Sequence, residues 1–144
     1  MLKKTRQDPS FYAESCKEVL LIDCGKIFGG GQNYCINFLE ALNKEHKAKV
    51  TVITCCQKLC LRLNEKGKYN VLFRQHWLSG IYVALKKLKG SKEDRVVVIM
   101  NGCKEMLIGL FAKVLPKKVK FLTIRHQSLK LKGKRTDLNI IWFY

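Results

Sequence analysis

Residues 19–32 read VLLIDCGKIFGGGQ, and this stretch decides the fold. The apolar run at 19–23 predicts a short β-strand. The three consecutive glycines at 29–31 predict a loop, and the stretch at 33–46 has the apolar period of a helix, with Asn33 as its expected cap. A strand, a glycine loop and a helix in this order are typical of the first unit of an α/β domain.

The rest of the chain continues this alternation. Apolar and β-branched runs predict strands at 49–54, 70–73, 95–100 and 119–124, and helical periodicity predicts helices at 77–88 and 104–115. Residues 55–68 fit either a short helix or an irregular crossing. Strands and helices that alternate at this length imply βαβ units. We therefore predict an α/β fold, a Rossmann-like parallel sheet with helices on both faces.

Length and composition agree with a single domain. The chain has 144 residues, and a hydrophobic fraction of 47% is enough for a core. We expect the domain at 18–135, an N-terminal extension at 1–17, and the start of a helix at 136–144 that is cut short. The sequence carries no secretory signal and no apolar run of membrane-spanning length, which predicts a cytoplasmic protein.

Cysteine usage fits that location. The seven cysteines are Cys16, Cys24, Cys35, Cys55, Cys56, Cys60 and Cys103. Several lie in apolar runs, where a thiol packs as a small hydrophobic group. We expect reduced thiols and no metal site, because the CxxC-type pairs and the second ligand cluster of a structural zinc site are absent.

The strongest compositional signal is charge. Twenty-eight Lys and Arg against 11 Asp and Glu give a formal net charge of +17. A surface this basic attracts nucleic acid, anionic lipid headgroups or phosphorylated substrates, and charge alone does not choose among them.

The glycine run is the first candidate site, because parallel α/β sheets bind ligands beyond the carboxyl ends of their strands. Gly29, Gly30 and Gly31 let the backbone adopt positive φ and approach a ligand closely. The amides of the following helix start would then attract an anion. The spacing matches neither the dinucleotide fingerprint nor the P-loop. Ligand contact and a plain tight turn therefore both stay open for this loop.

Polar residues at later strand ends complete the candidate set. His126 is expected to follow a strand beside Arg125, where it can orient a hydroxyl or contact a phosphate, or simply lie in a basic surface loop. Asn101 follows the strand at 95–100. Asp23 is either a brace for the glycine loop or a catalytic group, and no nucleophile–base pair has a recognisable spacing.

The order of these motifs resembles the N-terminal, acceptor-side domain of GT-B fold glycosyltransferases of the bacterial cell-surface polysaccharide or lipopolysaccharide type, similar to glycosyltransferase family 4. Those enzymes open with a strand, a "GG" loop, a helix and a strand; here GGGQ at 29–32, FLEALNKEH at 38–46 and VTVIT at 50–54 stand in those places. Residues 95–126 resemble the family's later strand, turn, helix and strand that closes on a histidine. The resemblance covers most of residues 19–128.

The resemblance implies a site in the cleft between two domains. It implies His126 as the catalytic residue, and as substrate-binding residues Gly29, Gly30, Gly31, Gln32, Asn101 and Arg125. The implied partners are a nucleotide sugar and a glycan or lipid-linked acceptor, with an anionic membrane surface, at the inner face of the membrane, as a further partner. No other cofactor is implied.

The second domain of that family, which holds the nucleotide sugar, has no counterpart in these 144 residues. We therefore expect the chain to be incomplete and inactive alone, as a truncated reading frame, a cut fragment, or half of a split enzyme with a separate donor-binding domain. The alternative function is a basic α/β module that binds nucleic acid, although most aromatic residues lie within predicted strands and helices. A nucleotide or cofactor domain without a P-loop is weaker still.

Overall fold

Six strands and four helices make up the part of the chain that the computed structural model describes, namely residues 17–45, 48–93, 95–111, 119–131 and 134–143. The strands are β1 (Glu18–Asp23), β2 (Lys49–Thr54), β3 (Asn70–Phe73), β4 (Val96–Met100), β5 (Val119–Leu131) and β6 (Lys134–Phe143). The helices are α1 (Gly30–Glu45), α2 (Gln57–Glu65), α3 (Trp77–Gly90) and α4 (Leu107–Leu110). The stretch that the sequence left open between helix and irregular crossing thus contains α2.

β1 is a central strand of the sheet, whose order is β3-β2-β1-β4-β5-β6. The strands β1 to β5 run parallel, and β6 runs antiparallel to β5. The chain moves outward from β1 to β3 and then returns to place β4 on the other side of β1. The carboxyl ends of the neighbouring strands β1 and β4 therefore form a topological switch point. Open α/β sheets hold their ligands at such a point.

Two apolar clusters cover the two faces of the sheet. Successive residues of a strand point to opposite faces. Val19 and Leu21 therefore pack with α1 and α2, whereas Leu20 and Ile22 pack with α3 and α4. Every residue of β1 is buried, as expected for a parallel strand covered on both sides. The predicted fold class, a Rossmann-like parallel sheet with helices on both faces, is confirmed.

Helix α1 begins at Gly30, earlier than the predicted start at Asn33. The amide of Asn33 donates to the carbonyl of Gly29 at 3.1 Å, so the glycines already form the first helical turn and Asn33 is not its cap. Gly29 and Gly30 lie outside the left-handed region, so they do not use the positive φ that glycine permits.

The C-terminal part differs most from the prediction. The strand expected to end at 124 continues to Leu131, and the stretch expected to start a helix at 136 belongs to strand β6. The physical reason is strand pairing. β4 pairs with β5 only as far as Thr123, whereas β6 pairs with β5 from Leu122 to Leu131, so β5 continues as a strand beyond β4. The extension at 1–16 and the end of the helix predicted at 104–115 lie outside the described residues.

Candidate functional site

The candidate site lies where the carboxyl ends of β1, β2 and β4 meet. Backbone hydrogen bonds hold these ends in register: the amide of Cys55 donates to the carbonyl of Asp23 at 2.9 Å, and the amide of Asn101 donates to that of Ile22 at 2.9 Å. Each of these strand ends contributes one polar side chain to the switch point of the sheet. They are Asp23, Thr54 and Asn101, and their side chains are in contact there.

Asp23 is the centre of a buried hydrogen-bond network. Its carboxylate accepts from Nε2 of Gln32 at 3.1 and 3.3 Å. It also accepts from Nδ2 of Asn101 at 3.1 Å and from Oγ1 of Thr54 at 3.3 Å. All four side chains are buried. Asp23 thus ties three strand ends and the first turn of α1 together, and the solvent does not reach its carboxylate.

Gln32 links this network to the glycine loop. Its Oε1 accepts the amide of Gly29 at 2.9 Å, while its Nε2 donates to Asp23. A glutamine at the third helical position that accepts the amide of the residue before the helix is one half of a capping box. Gly25 leaves room for this arrangement, because a Cβ there would lie 3.0 Å from Nε2 of Gln32. The loop is therefore fixed from beneath by one side chain.

A second buried carboxyl lies at the same edge. Glu105 is buried, and one of its oxygens accepts the amide of Cys24 directly after β1. Gly102 has φ +146°, and a Cβ on it would lie 2.8 Å from Oε2 of Glu105. The turn after β4 therefore depends on glycine at 102 for both its conformation and its space.

Burial raises the pKa of both carboxyls. For Asp23 desolvation is the largest effect, and the hydrogen bonds from Gln32, Asn101 and Thr54 lower the pKa in part. For Glu105 desolvation again dominates, and the Cys24 amide lowers the pKa in part. Repulsion by the Asp23 carboxylate also raises the pKa of Glu105. Both groups hold a proton to a higher pH than an exposed carboxyl does.

Glu105→Gln tests this raised pKa. A carboxyl whose pKa is higher in the folded protein contributes its full stability below the unfolded pKa and loses it as the pH rises through the folded value. The substitution keeps an oxygen for the Cys24 amide but cannot ionise. At about pH 8 we expect the variant to exceed the wild type by about 1 kcal/mol in free energy of unfolding, measured by urea titration. The difference should shrink as the pH falls toward about 4. A variant less stable at pH 8 would show that the folded state favours the ionised carboxylate.

The outer side of the glycine loop is open and flanked by cations. A Cβ built on Gly30 meets nothing within 4 Å. Next to the loop, the Nζ of Lys58 lies 5.2 Å and the guanidinium carbon of Arg62 lies 4.6 Å from the centre of the Phe28 ring. Such cation–π contacts hold both positive groups in place. We call Phe28, Lys58 and Arg62 the Phe28 cluster; it lies beside the first turn of α1.

The structure brings some of the predicted residues together and leaves others undecided. Gly29, Gly30 and Gly31 lie at the start of α1, and Gln32 and Asn101 meet at Asp23, where their side chains are engaged within the protein. That they bind substrate stays a prediction.

Arg125 and His126 were predicted to follow a strand. They lie inside β5 instead, opposite Ile140 and Asn139 of β6. Their side chains lie outside the described part of the chain. A catalytic role for His126 and a binding role for Arg125 therefore stay predictions.

Sequence reasoning missed Glu105 and the Phe28 cluster. Glu105 could have been found from its place just after β4, once β4 was paired with β1. Lys58 and Arg62 are one helical turn apart, and this spacing puts them on one face of α2.

The six cysteines that the structure describes are free thiols. Cys24, Cys35, Cys55 and Cys56 are buried free thiols, as predicted for small apolar side chains. Cys60 is partly buried, Cys103 is exposed, and Cys16 lies outside the described residues. Within the described ranges, no group of three His, Cys, Asp or Glu side chains is arranged to hold a metal ion.

Comparisons of this chain with protein-family models, with curated proteins and with solved structures give no match.

Proposed function

We propose that this chain is the acceptor-side domain of a glycosyltransferase, which works with a donor-binding domain to move a sugar from a nucleotide sugar to a cell-surface glycan or lipid-linked acceptor. The proposed ligand site is the outer side of the glycine loop, at the switch point between β1 and β4. The phosphate-bearing part of the substrate would lie there, against the first turn of α1 and beside the Phe28 cluster.

The observation that carries the proposal is the open space in front of Gly30. Gly25 and Gly102 are needed by the fold, because a Cβ at either would approach a buried side chain within 3.0 Å or less. Gly30 has neither a positive φ nor a neighbour within 4 Å of a built Cβ. Gly90 and Gly109 have the same open space, so what sets Gly30 apart is its place in the first turn of α1 at the switch point of the sheet. There the missing side chain would let a ligand approach the backbone closely.

The electrostatics of the loop suit an anionic group. The first amides of a helix have no intrahelical acceptor, and the helix dipole adds partial positive charge at that end. The first turn of α1 contains no acidic residue. Lys58 and Arg62 add two full positive charges beside Phe28. A phosphate or diphosphate fits this combination better than a neutral sugar does.

Gly30→Ala separates ligand contact from a merely structural glycine. At a helix start with no nearby atoms, alanine should leave the fold unchanged or stabilise it by about 0.4–1 kcal/mol. Binding of pyrophosphate and of UDP, GDP and ADP, measured by calorimetry on the full chain, should weaken about tenfold, because the new methyl group occupies the approach to the backbone.

The matched control is Gly90→Ala, at another helical position where a built Cβ meets nothing within 4 Å. It should change neither the fold nor the binding. Equal affinities for the wild type and Gly30→Ala would remove the glycine loop from the site. Salt-sensitive binding of a single-stranded oligonucleotide, with no preference for diphosphates, would instead favour the nucleic-acid module, which the +17 charge also supports.

A further inference from the structure

Among the described residues, five of the eight exposed large apolar side chains lie on α3, on α4 or directly after α4; the other three are Ile27, Leu61 and Phe73. Leu110 is 74%, Tyr82 66% and Leu78 62% exposed, and Leu107 and Phe111 are also exposed. Helices α3 and α4 pack against each other. We call these five residues the α3–α4 apolar surface.

This surface is not the core side of the two helices. The core side of α3 consists of Ile81, Ala84 and Leu88, and that of α4 of Ile108, all of them buried. Leu78 and Tyr82 are one turn apart on α3, so they project on the same outer side. Soluble proteins rarely expose several large apolar groups together unless the surface meets a partner.

Lysines accompany the apolar side chains. Lys86 continues the stripe of Leu78 and Tyr82 by one more turn, and Lys89 follows; both are exposed. Lys104 is exposed just before α4, with its Nζ 5.9 Å from the centre of the Trp77 ring. Apolar and aromatic groups with lysines around them are the composition of a surface that lies in the headgroup region of an anionic bilayer.

Charge decides between a bilayer and a second copy of the chain. With a net charge of +17, two copies repel each other, whereas an anionic lipid surface attracts each of them. Among the helices that the structure describes, none is long and apolar enough to span a membrane.

We propose that the α3–α4 apolar surface docks this protein on an anionic lipid bilayer, with Tyr82, Leu110 and Phe111 entering the headgroup region and the lysines facing lipid phosphates. Both helices start at the carboxyl edge of the sheet, where the glycine loop also lies. Docking therefore places the candidate site close to the bilayer. The docking surface does not depend on which reaction that site serves.

The test uses the full chain and sedimentation with vesicles of phosphatidylglycerol and phosphatidylcholine. We expect the wild type to bind these vesicles and to bind pure phosphatidylcholine far more weakly. The double variant Tyr82→Ser/Leu110→Ser should lose about tenfold in partition coefficient, because two apolar side chains no longer enter the lipid. Its thermal midpoint should stay near that of the wild type, since both sites are exposed.

The matched control is Leu61→Ser, an exposed leucine on α2, which packs on the opposite face of the sheet. It should bind vesicles like the wild type. Equal binding by the double variant, or an equal loss with Leu61→Ser, would overturn the proposal and leave charge alone as the cause of binding. The proposal would be overturned in favour of self-association if the wild type did not bind vesicles and formed a dimer, while the double variant was a monomer.

Discussion

Asp23→Ala should destabilise this protein by about 3–5 kcal/mol in free energy of unfolding. The alanine cannot accept the hydrogen bonds of Gln32, Asn101 and Thr54, whose side chains remain buried. A buried donor without an acceptor costs about 1–3 kcal/mol, and here three donors lose theirs at once. Domains of this kind have a total stability of about 5–15 kcal/mol, so much of the variant should be unfolded under mild denaturation.

Asp23→Asn distinguishes the network from the charge. It keeps one oxygen and the shape of the side chain and removes the desolvated charge, so we expect a smaller loss of about 1–2 kcal/mol. Glu65→Ala, at an exposed position at the end of α2, is the control for removal of an acid and should lie within about 0.5 kcal/mol of the wild type. Urea titration measures all three. A loss below about 1 kcal/mol for Asp23→Ala would mean that solvent replaces the carboxylate.

Gly102→Ala should be the second large effect, with a loss of about 3–4 kcal/mol. The backbone of Gly102, at φ +146°, is one that residues with a side chain rarely adopt. The added Cβ would also lie 2.8 Å from Oε2 of Glu105 and 3.4 Å from two further atoms of that carboxyl group. Glu105 has little freedom to move away, because it is buried and accepts the amide of Cys24.

Gly67→Ala separates backbone strain from the steric contact with Glu105. Gly67 has φ +60° and nothing within 4 Å of a built Cβ, so alanine there should lose only about 1 kcal/mol, from backbone strain alone. The double variant Gly102→Ala/Glu105→Ala then measures the steric part. Its loss should be smaller than the sum of the two single losses, because the carboxyl that the new methyl group meets is gone. Strict additivity would show that the carboxyl moves aside without cost.

The fold could be predicted from local patterns wherever burial on both faces leaves a continuous apolar run. β1, β2 and β4 are such strands, and each was located to within about one residue. β6 could not be predicted in this way. Apolar and aromatic residues at its end fit a helix as well as a strand, and the choice depends on a partner strand, β5, that continues past β4.

The position of the candidate site could be predicted from the sequence, but the contacts among its residues could not. The predicted strand ends indicated the carboxyl edge of the sheet as the place to look, because parallel strands gather their carboxyl ends there. The role of Asp23 depends on Thr54 and Asn101, which lie 31 and 78 residues away, and therefore on the strand order. Glu105 depends in the same way on the contact between β1 and the turn after β4. The spacing of residues in the sequence does not show that such distant residues come into contact.

The central place of β1 sets the order in which the sheet is completed during synthesis. Asp23 leaves the ribosome 78 residues before Asn101, which is roughly 4–16 s at about 5–20 residues per second. β2 and β3 are made within that interval, whereas the edge of β1 where β4 will pair stays open to its end. Leu20 and Ile22 gain the complete cover of α3 and α4 later still, because α4 follows Asn101 in the chain. Until β4 is made, the central strand β1 therefore has an edge that can pair with another chain.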